Sequence, residues 1–328
     1  MLGRMLIPHY WAEARLRQRN REGQVTIRRF GWSDESQQAA QDHAEGRARD
    51  AMARWNAGER KMDRREWKRA YNGGQGLPIR EEVVARQGDA VITRNLYGAR
   101  CLNTPNVLFA DIDFERRSDS TAFIFPISFV VAIVVGLWEQ SGLYAILTLL
   151  GIPLVVYGGA ALCGGMLWLT GGNREKRSRK RIEAFAQRHP DWHLRLYRTP
   201  AGFRLLAMHR PFSPGEPEVA ECFRQLGVDK VYALMCQNQQ CFRARVSPKP
   251  WRIGIARHIK PHPGIWPIKP ERMPVRRQWV DDYEQKSAGY AACRFVETIG
   301  SSTVDPTALA VQTLHDELCR ATSTLPTA

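Results

Sequence analysis

The chain has 328 residues, a formal net charge of +15 and a mean hydropathy of −0.40. With 44% hydrophobic and 25% charged residues it is neither a disordered polymer nor a small disulfide scaffold. Its seven cysteines are scattered and odd in number, and the start, MLGRMLIPHYW, has no apolar core of signal length, so a reducing compartment is expected. Residues 1–118 carry 22 Lys/Arg against 16 Asp/Glu, and residues 173–328 carry 26 against 15. Such a balance either favours phosphate-rich partners, namely nucleic acid, nucleotides or anionic lipid head groups, or follows from positive-inside bias.

In chain order, QVTIRRF over Gln24–Phe30 predicts a strand. Ser33 is a candidate N-cap. Ala40, Ala44, Ala48, Ala51 and Trp55 then recur at helical spacing, predicting a helix to about Asn56. Gly58–Lys68 reads as a solvated connector. Tyr71–Pro78 reads as a glycine-rich loop without the spacing of a P-loop. Glu81–Gln87 reads as a short helix and Leu96–Pro105 as irregular. VLFADID, Val107–Asp113, reads as a strand with Asp111 and Asp113 on one face, Glu115 next in that series.

No Lys or Arg occurs from Ser118 to Asn173. Ala122–Trp138 is a run of 17 uncharged residues and Leu143–Leu169 a run of 27, separated by a short WEQSG-containing link. About 20 apolar residues span a bilayer, so the pair predicts a transmembrane hairpin over 119–172. Arg116 and Arg117 precede it, and NREKRSRKR follows. The positive-inside rule then places both termini in the cytoplasm of a bacterial-type inner membrane, with two spans. Ala160 with Gly164, and Ala161 with Gly165, form small-xxx-small pairs suited to helix packing or to an oligomer.

After this insert, Lys180–Arg188 predicts a helix, Trp192–Arg198 a strand, Thr199–Gly202 a tight turn and Phe203–His209 a returning strand. A short helix follows near Val219–Leu226. Gln240–Ile255 reads as extended and basic, Lys260–Pro274 as a proline-rich loop, and Arg276–Ile299 as a helix stopped by Gly300. Asp305 caps a final helix with Pro306 at its first position. The expected domains are 1–118, ending in the DxD strand; the hairpin 119–172; 173–274, completing the same αβ domain; and C-terminal helices over 275–328. The expected fold class is α+β.

Three groups of residues carry candidate chemistry. Asp111 and Asp113 repel unless a divalent cation, Mg²⁺ or Mn²⁺, joins them, and such ions clamp the oxygens of a nucleotidyl transfer. Asp229 is a third acid, and is also placed to cap a helix. Thr199, Gly202 and Arg204 form the hairpin turn, with Arg195 and Tyr197 on the strand before it. Arg243, Arg245 and Lys249, beside Trp251 and Arg252, suit phosphate contacts with a stacked base. Cys236-x4-Cys241 is the tightest cysteine spacing.

The order of DxD strand, helix, strand, Gly-containing turn, strand, acid and basic segment resembles the core of the archaeo-eukaryotic primase (primase-polymerase) superfamily. Arg204 stands where that family has His, and Pro200 at its first Gly position, so the resemblance is to a diverged member. It implies an RRM-like αβ core over residues 100–255 without the insert. It also implies Asp111 and Asp113 as metal ligands, Asp229 as third carboxylate, and Thr199–Arg204 against the phosphates of a nucleotide. The expected function is thus a membrane-anchored, primase-like domain binding nucleotide or nucleic acid. The alternatives are a non-catalytic inner-membrane protein with a basic interaction domain, and a membrane-attached DxD glycosyltransferase.

Overall fold

The computed structural model describes residues 5, 7–20, 23–66, 77–114, 124–138, 142–144, 146–152, 154, 174–262 and 264–328. They fall into two compact units: Met1–Ile112 with Phe185–Ala328, and Asp113–Ala184.

In the first unit, β1 (Tyr10–Asn20) and β2 (Gly23–Ser33) form an antiparallel hairpin, with Tyr10 opposite Ser33 and Asn20 opposite Gly23. Helix α1 (Gln37–Asn56) lies on it. Its stripe Ala40, Ala44 and Ala48 is fully buried against Ala12 and Ala14, because only methyl groups fit where helix and strand approach this closely. The cap is Ser36, whose hydroxyl accepts from the Ala39 amide at 3.0 Å. Ser33 instead closes β2, and its hydroxyl accepts from the Glu35 amide.

A four-stranded sheet has the order β3 (Glu82–Gln87), β4 (Ala90–Arg94), β5 (Arg100–Thr104), β9 (Phe242–Arg245), antiparallel throughout. The expected helix over 81–87 is therefore a strand. The physical reason is the two-residue turn Gly88–Asp89: Gly88 has φ +55, which returns the chain so that Gln87 faces Ala90. The stretch expected to be irregular contains β5.

A second four-stranded sheet has the order β10 (Arg294–Gly300), β7 (His193–Arg198), β8 (Gly202–Ala207), β6 (Phe109–Asp113). The DxD strand thus lies beside the 193–207 hairpin, with the Ala207 amide donating to the Leu108 carbonyl at 3.1 Å. All six residues of β8 are buried. β9, which carries Arg243 and Arg245, belongs to the other four-stranded sheet. The expected C-terminal helix over 276–299 is also corrected. The helix Met273–Ser287 stops short of β10, and RFVETIG alternates exposed and half-buried, the period-two mark of a strand covered on one face.

The helices after α1 are α2 (Ile124–Trp138), α3 (Arg174–Arg188), α4 (Pro217–Leu226), α5 (Lys230–Gln239), α6 (Met273–Ser287) and α7 (Pro306–Cys319). Asp305 caps α7 by accepting from the Thr307 and Ala308 amides, with Pro306 at its first position.

The second unit contains α2 and the start of α3. Among the described residues no helix is long and apolar enough to cross a membrane. Helix α2 has 15 residues, a length of about 22 Å at 1.5 Å per residue, against a hydrocarbon core of about 30 Å. This overturns the expected two-span transmembrane hairpin, the membrane-anchored reading and the inner-membrane placing that rested on them. Most of the second predicted span, with Ala160, Ala161, Gly164 and Gly165, lies outside the described residues, as does Glu115. At the unit's ends, Arg174 Nη1 donates to the Phe114 carbonyl at 3.4 Å, so the segment returns close to where it departs.

Candidate functional site

Asp111 and Arg204 stand on the neighbouring strands β6 and β8, and their side chains meet as a two-pronged ion pair. Arg204 Nε donates to Asp111 Oδ1 at 2.6 Å and Nη2 to Oδ2 at 2.9 Å. The Arg204 side chain is 1% exposed and that of Asp111 32%. Nη1 donates to the Arg245 carbonyl at 2.8 Å and to His315 Nε2 at 3.2 Å. Burial pushes the Asp111 carboxyl up, but the guanidinium more than offsets it and holds it below the usual carboxylate range. The same pairing holds Arg204 well above its ordinary value despite burial. The guanidinium takes one lone pair of each Asp111 oxygen and neutralises the carboxylate's charge, which weakens its attraction for a divalent ion.

Beyond Arg204 the polar network continues along α7. His315 Nδ1 lies 3.0 Å from Asp316 Oδ1. Since Nε2 accepts from Arg204, Nδ1 is the nitrogen that carries the proton. Asp316 Oδ2 accepts from Arg195 Nη2 at 2.9 Å and from Gln312 at 2.6 Å. Burial raises the Asp316 carboxyl, and the hydrogen bond from His315 leads the effects that bring it below its ordinary value. Arg195 Nε also donates to the Tyr197 hydroxyl at 2.9 Å. Two sulfurs meet the other side of His315: Cys319 Sγ at 3.4 Å and Cys293 Sγ at 3.9 Å from Nε2. A hydrogen bond from Cys319 holds Cys293 well below the usual thiol range, while burial and that same bond hold Cys319 above it.

The other predicted residues are dispersed. Asp113 is exposed at the end of β6, in the second compact unit. Asp229 caps α5, Oδ1 accepting from the Val231 and Tyr232 amides at 2.7 and 3.1 Å. Thr199 and Gly202 close a turn on themselves: the Gly202 amide donates to Thr199 Oγ1 at 3.0 Å and the Thr199 amide to the Gly202 carbonyl at 2.9 Å. Arg243 pairs with Glu81, whose carboxylate also accepts from Thr93 Oγ1 at 2.7 Å. Burial lowers the Arg245 guanidinium, and Tyr97 beside it more than offsets that and holds it above its ordinary value. Of the nine predicted residues, the structure joins Asp111, Arg204 and the Arg245 backbone.

Lys249 belongs to a different arrangement. Its ammonium sits 5.4 Å from the ring centre of Trp251. Trp251 is 48% exposed and is flanked edge-on by Tyr97 at 5.3 Å and His258 at 5.6 Å. His258 meets His262 at 6.4 Å, and Arg272 Nη2 donates to the His262 carbonyl at 3.4 Å. Residues 249–277 hold eight Lys/Arg and one acid, Glu271. Ile253 and Ile259 anchor the segment in a core with Trp279 and Tyr283, and Tyr283 donates to the Pro248 carbonyl at 2.7 Å.

Comparison with protein-family models, with curated proteins and with solved structures finds no match.

Sequence reasoning passed over Glu81, Cys293, His315, Asp316 and Cys319. A signal existed for two of them: His315 and Cys319 stand four apart and so share a helix face. The tightest spacing between two cysteines, Cys236 and Cys241, attracted attention instead. Both are buried, with their thiols pushed up by burial, Cys241 to about 12.

Proposed function

We propose that this chain is a binding domain for single-stranded nucleic acid, working through the Trp251 face rather than through Asp111. The observation that carries the reading is a half-exposed indole framed by Tyr97, His258 and Lys249 on a segment with eight cations and one acid. An exposed ring offers a base a stacking surface, and neighbouring cations meet the backbone phosphates. Arg257, Lys260 and Arg277 make no ion pair among the described residues, so their charge is available to phosphate. The bidentate Arg204–Asp111 contact argues against metal-dependent nucleotidyl transfer, because it already neutralises the carboxylate charge that would attract such an ion.

Fluorescence anisotropy with a labelled single strand of about 20 nucleotides, taken through a salt series, tests the reading. Binding should weaken steeply with salt. Trp251→Ala should cost about tenfold in affinity, the low end of base–aromatic stacking at roughly 1–3 kcal/mol. The double variant Arg257→Gln/Lys260→Gln should flatten the salt slope by about 1.4, at roughly 0.7 per phosphate contact on a single strand. Asp111→Asn should bind as the parent does at temperatures where it is folded. Nucleotide binding that requires Mg²⁺ or Mn²⁺ and is lost in Asp111→Asn would overturn this reading in favour of the catalytic one.

A further inference from the structure

Cys293 immediately precedes β10, while His315 and Cys319 lie one turn apart on α7. Their ligand atoms all fall within 4.8 Å of one another, and all three residues are wholly buried. A tetrahedral zinc ion takes sulfur at about 2.3 Å and nitrogen at about 2.0–2.1 Å, which gives sulfur–nitrogen edges of about 3.5 Å. The observed separations of Nε2 from the two sulfurs, 3.4 and 3.9 Å, bracket that edge.

The imidazole is already oriented as in a metal site. Nδ1–H points at Asp316 Oδ1, fixing the tautomer and turning the Nε2 lone pair toward the sulfurs. Asp316 is itself held by Arg195 and Gln312. We propose that Cys293, His315 and Cys319 bind a zinc ion that fastens α7 to the start of β10.

Charge favours a divalent ion. Two thiolates and Zn²⁺ sum to zero, so the ion enters the interior without leaving an uncompensated charge, whereas a monovalent ion would leave one negative. Both thiol protons are released on binding. Arg204 gives up its contact with Nε2 and keeps its bonds to Asp111 and the Arg245 carbonyl. No fourth Cys, His, Asp or Glu joins the group among the described residues. The fourth position is left to a water or to the Arg245 carbonyl, which lies 3.9 Å from Cys319 Sγ. Enclosure makes the role structural: no substrate reaches an ion so deeply covered.

The test uses the full chain, purified with reductant and excess zinc and then desalted. Elemental analysis should find about one zinc per chain. Cobalt(II) in its place should give an intense near-ultraviolet thiolate-to-metal band. Cys293→Ser and Cys319→Ser should each lose the metal, while Cys222→Ala keeps it. Asp316→Asn should weaken zinc binding roughly tenfold, measured by chelator competition. Should the cysteine variants fail to fold, the parent chain alone decides: a mercurial thiol reagent must release zinc in step with the thiols it titrates. Absence of stoichiometric zinc and of the cobalt band in the folded parent, retention of copper(I) to the exclusion of zinc, or a Cys293–Cys319 disulfide would each overturn the proposal.

Discussion

The pair Asp111–Arg204 turns on where its charges sit. Arg204 is sealed in, while the carboxylate keeps partial contact with water. Truncating Asp111 to Ala leaves an uncompensated cation between two sheets and should cost about 3 kcal/mol, the low end for breaking a buried pair. The double variant Asp111→Leu/Arg204→Met removes both charges and should cost far less; urea midpoints of the three proteins check this. The pH dependence follows from the depressed carboxyl value. Its contribution is complete above the unfolded value of about 4 and is lost as pH falls through the lower folded value. The gap in urea midpoint between parent and Asp111→Asn should therefore stay constant from pH 7 to 5 and shrink below about pH 4. The repulsion between Asp111 and Asp113 in the sequence points to a divalent cation as the partner. That the partner is Arg204, ninety-three positions away, depends on strand pairing, which no local pattern encodes.

Elements whose signals are local were legible in the sequence. The alanine spacing of α1 and the Asp305–Pro306 start of α7 each act within a few residues of the element they specify. Strands specified by distant partners were not. β1 reads YWAEARLRQRN, with several charges, and is held because each residue faces one of β2 while Ala12 and Ala14 pack under α1. β10 was absorbed into a helix because its alternation is short and its partner, β7, lies about a hundred residues earlier. At the α1 face, Gly31 shows how tight the local fit is. A Cβ there would lie 2.2 Å from the Ala44 amide nitrogen and 2.3 Å from the Ala40 carbonyl oxygen. Because both obstacles are backbone, Gly31→Ala must push the helix off the hairpin, and should cost about 3 kcal/mol, the upper end for overpacking. Gly46→Ala is the control: it meets nothing within 4 Å, and it should stabilise by a few tenths up to about 1 kcal/mol through helix propensity. Thermal unfolding of the two variants should therefore shift in opposite directions.

At the scale of the molecule, the first unit is assembled from two stretches of chain, and its connections run across the gap between them. β5 pairs with β9, and β6 lies beside β8. The Tyr232 hydroxyl lies 3.1 Å from the Phe109 carbonyl and 2.9 Å from that of Arg243, joining the two four-stranded sheets. None of these contacts uses a residue of the intervening segment, whose ends meet at Phe114 and Arg174. Replacing residues 115–173 by about eight Gly/Ser residues should therefore leave the first unit folded. Eight flexible residues reach a root-mean-square span of about 15 Å, ample for ends within one arginine side chain of each other. Shortening the loop from about sixty residues to eight also lowers the closure entropy lost on folding, by about 2 kcal/mol in favour of the folded state. The deletion should unfold in one cooperative transition with a urea midpoint no lower than the parent's, and should keep the salt-dependent strand binding assigned to the Trp251 face. A broadened transition, or lost pairing of β6 with β8 by amide hydrogen exchange, would mean that the segment supports the first unit's core.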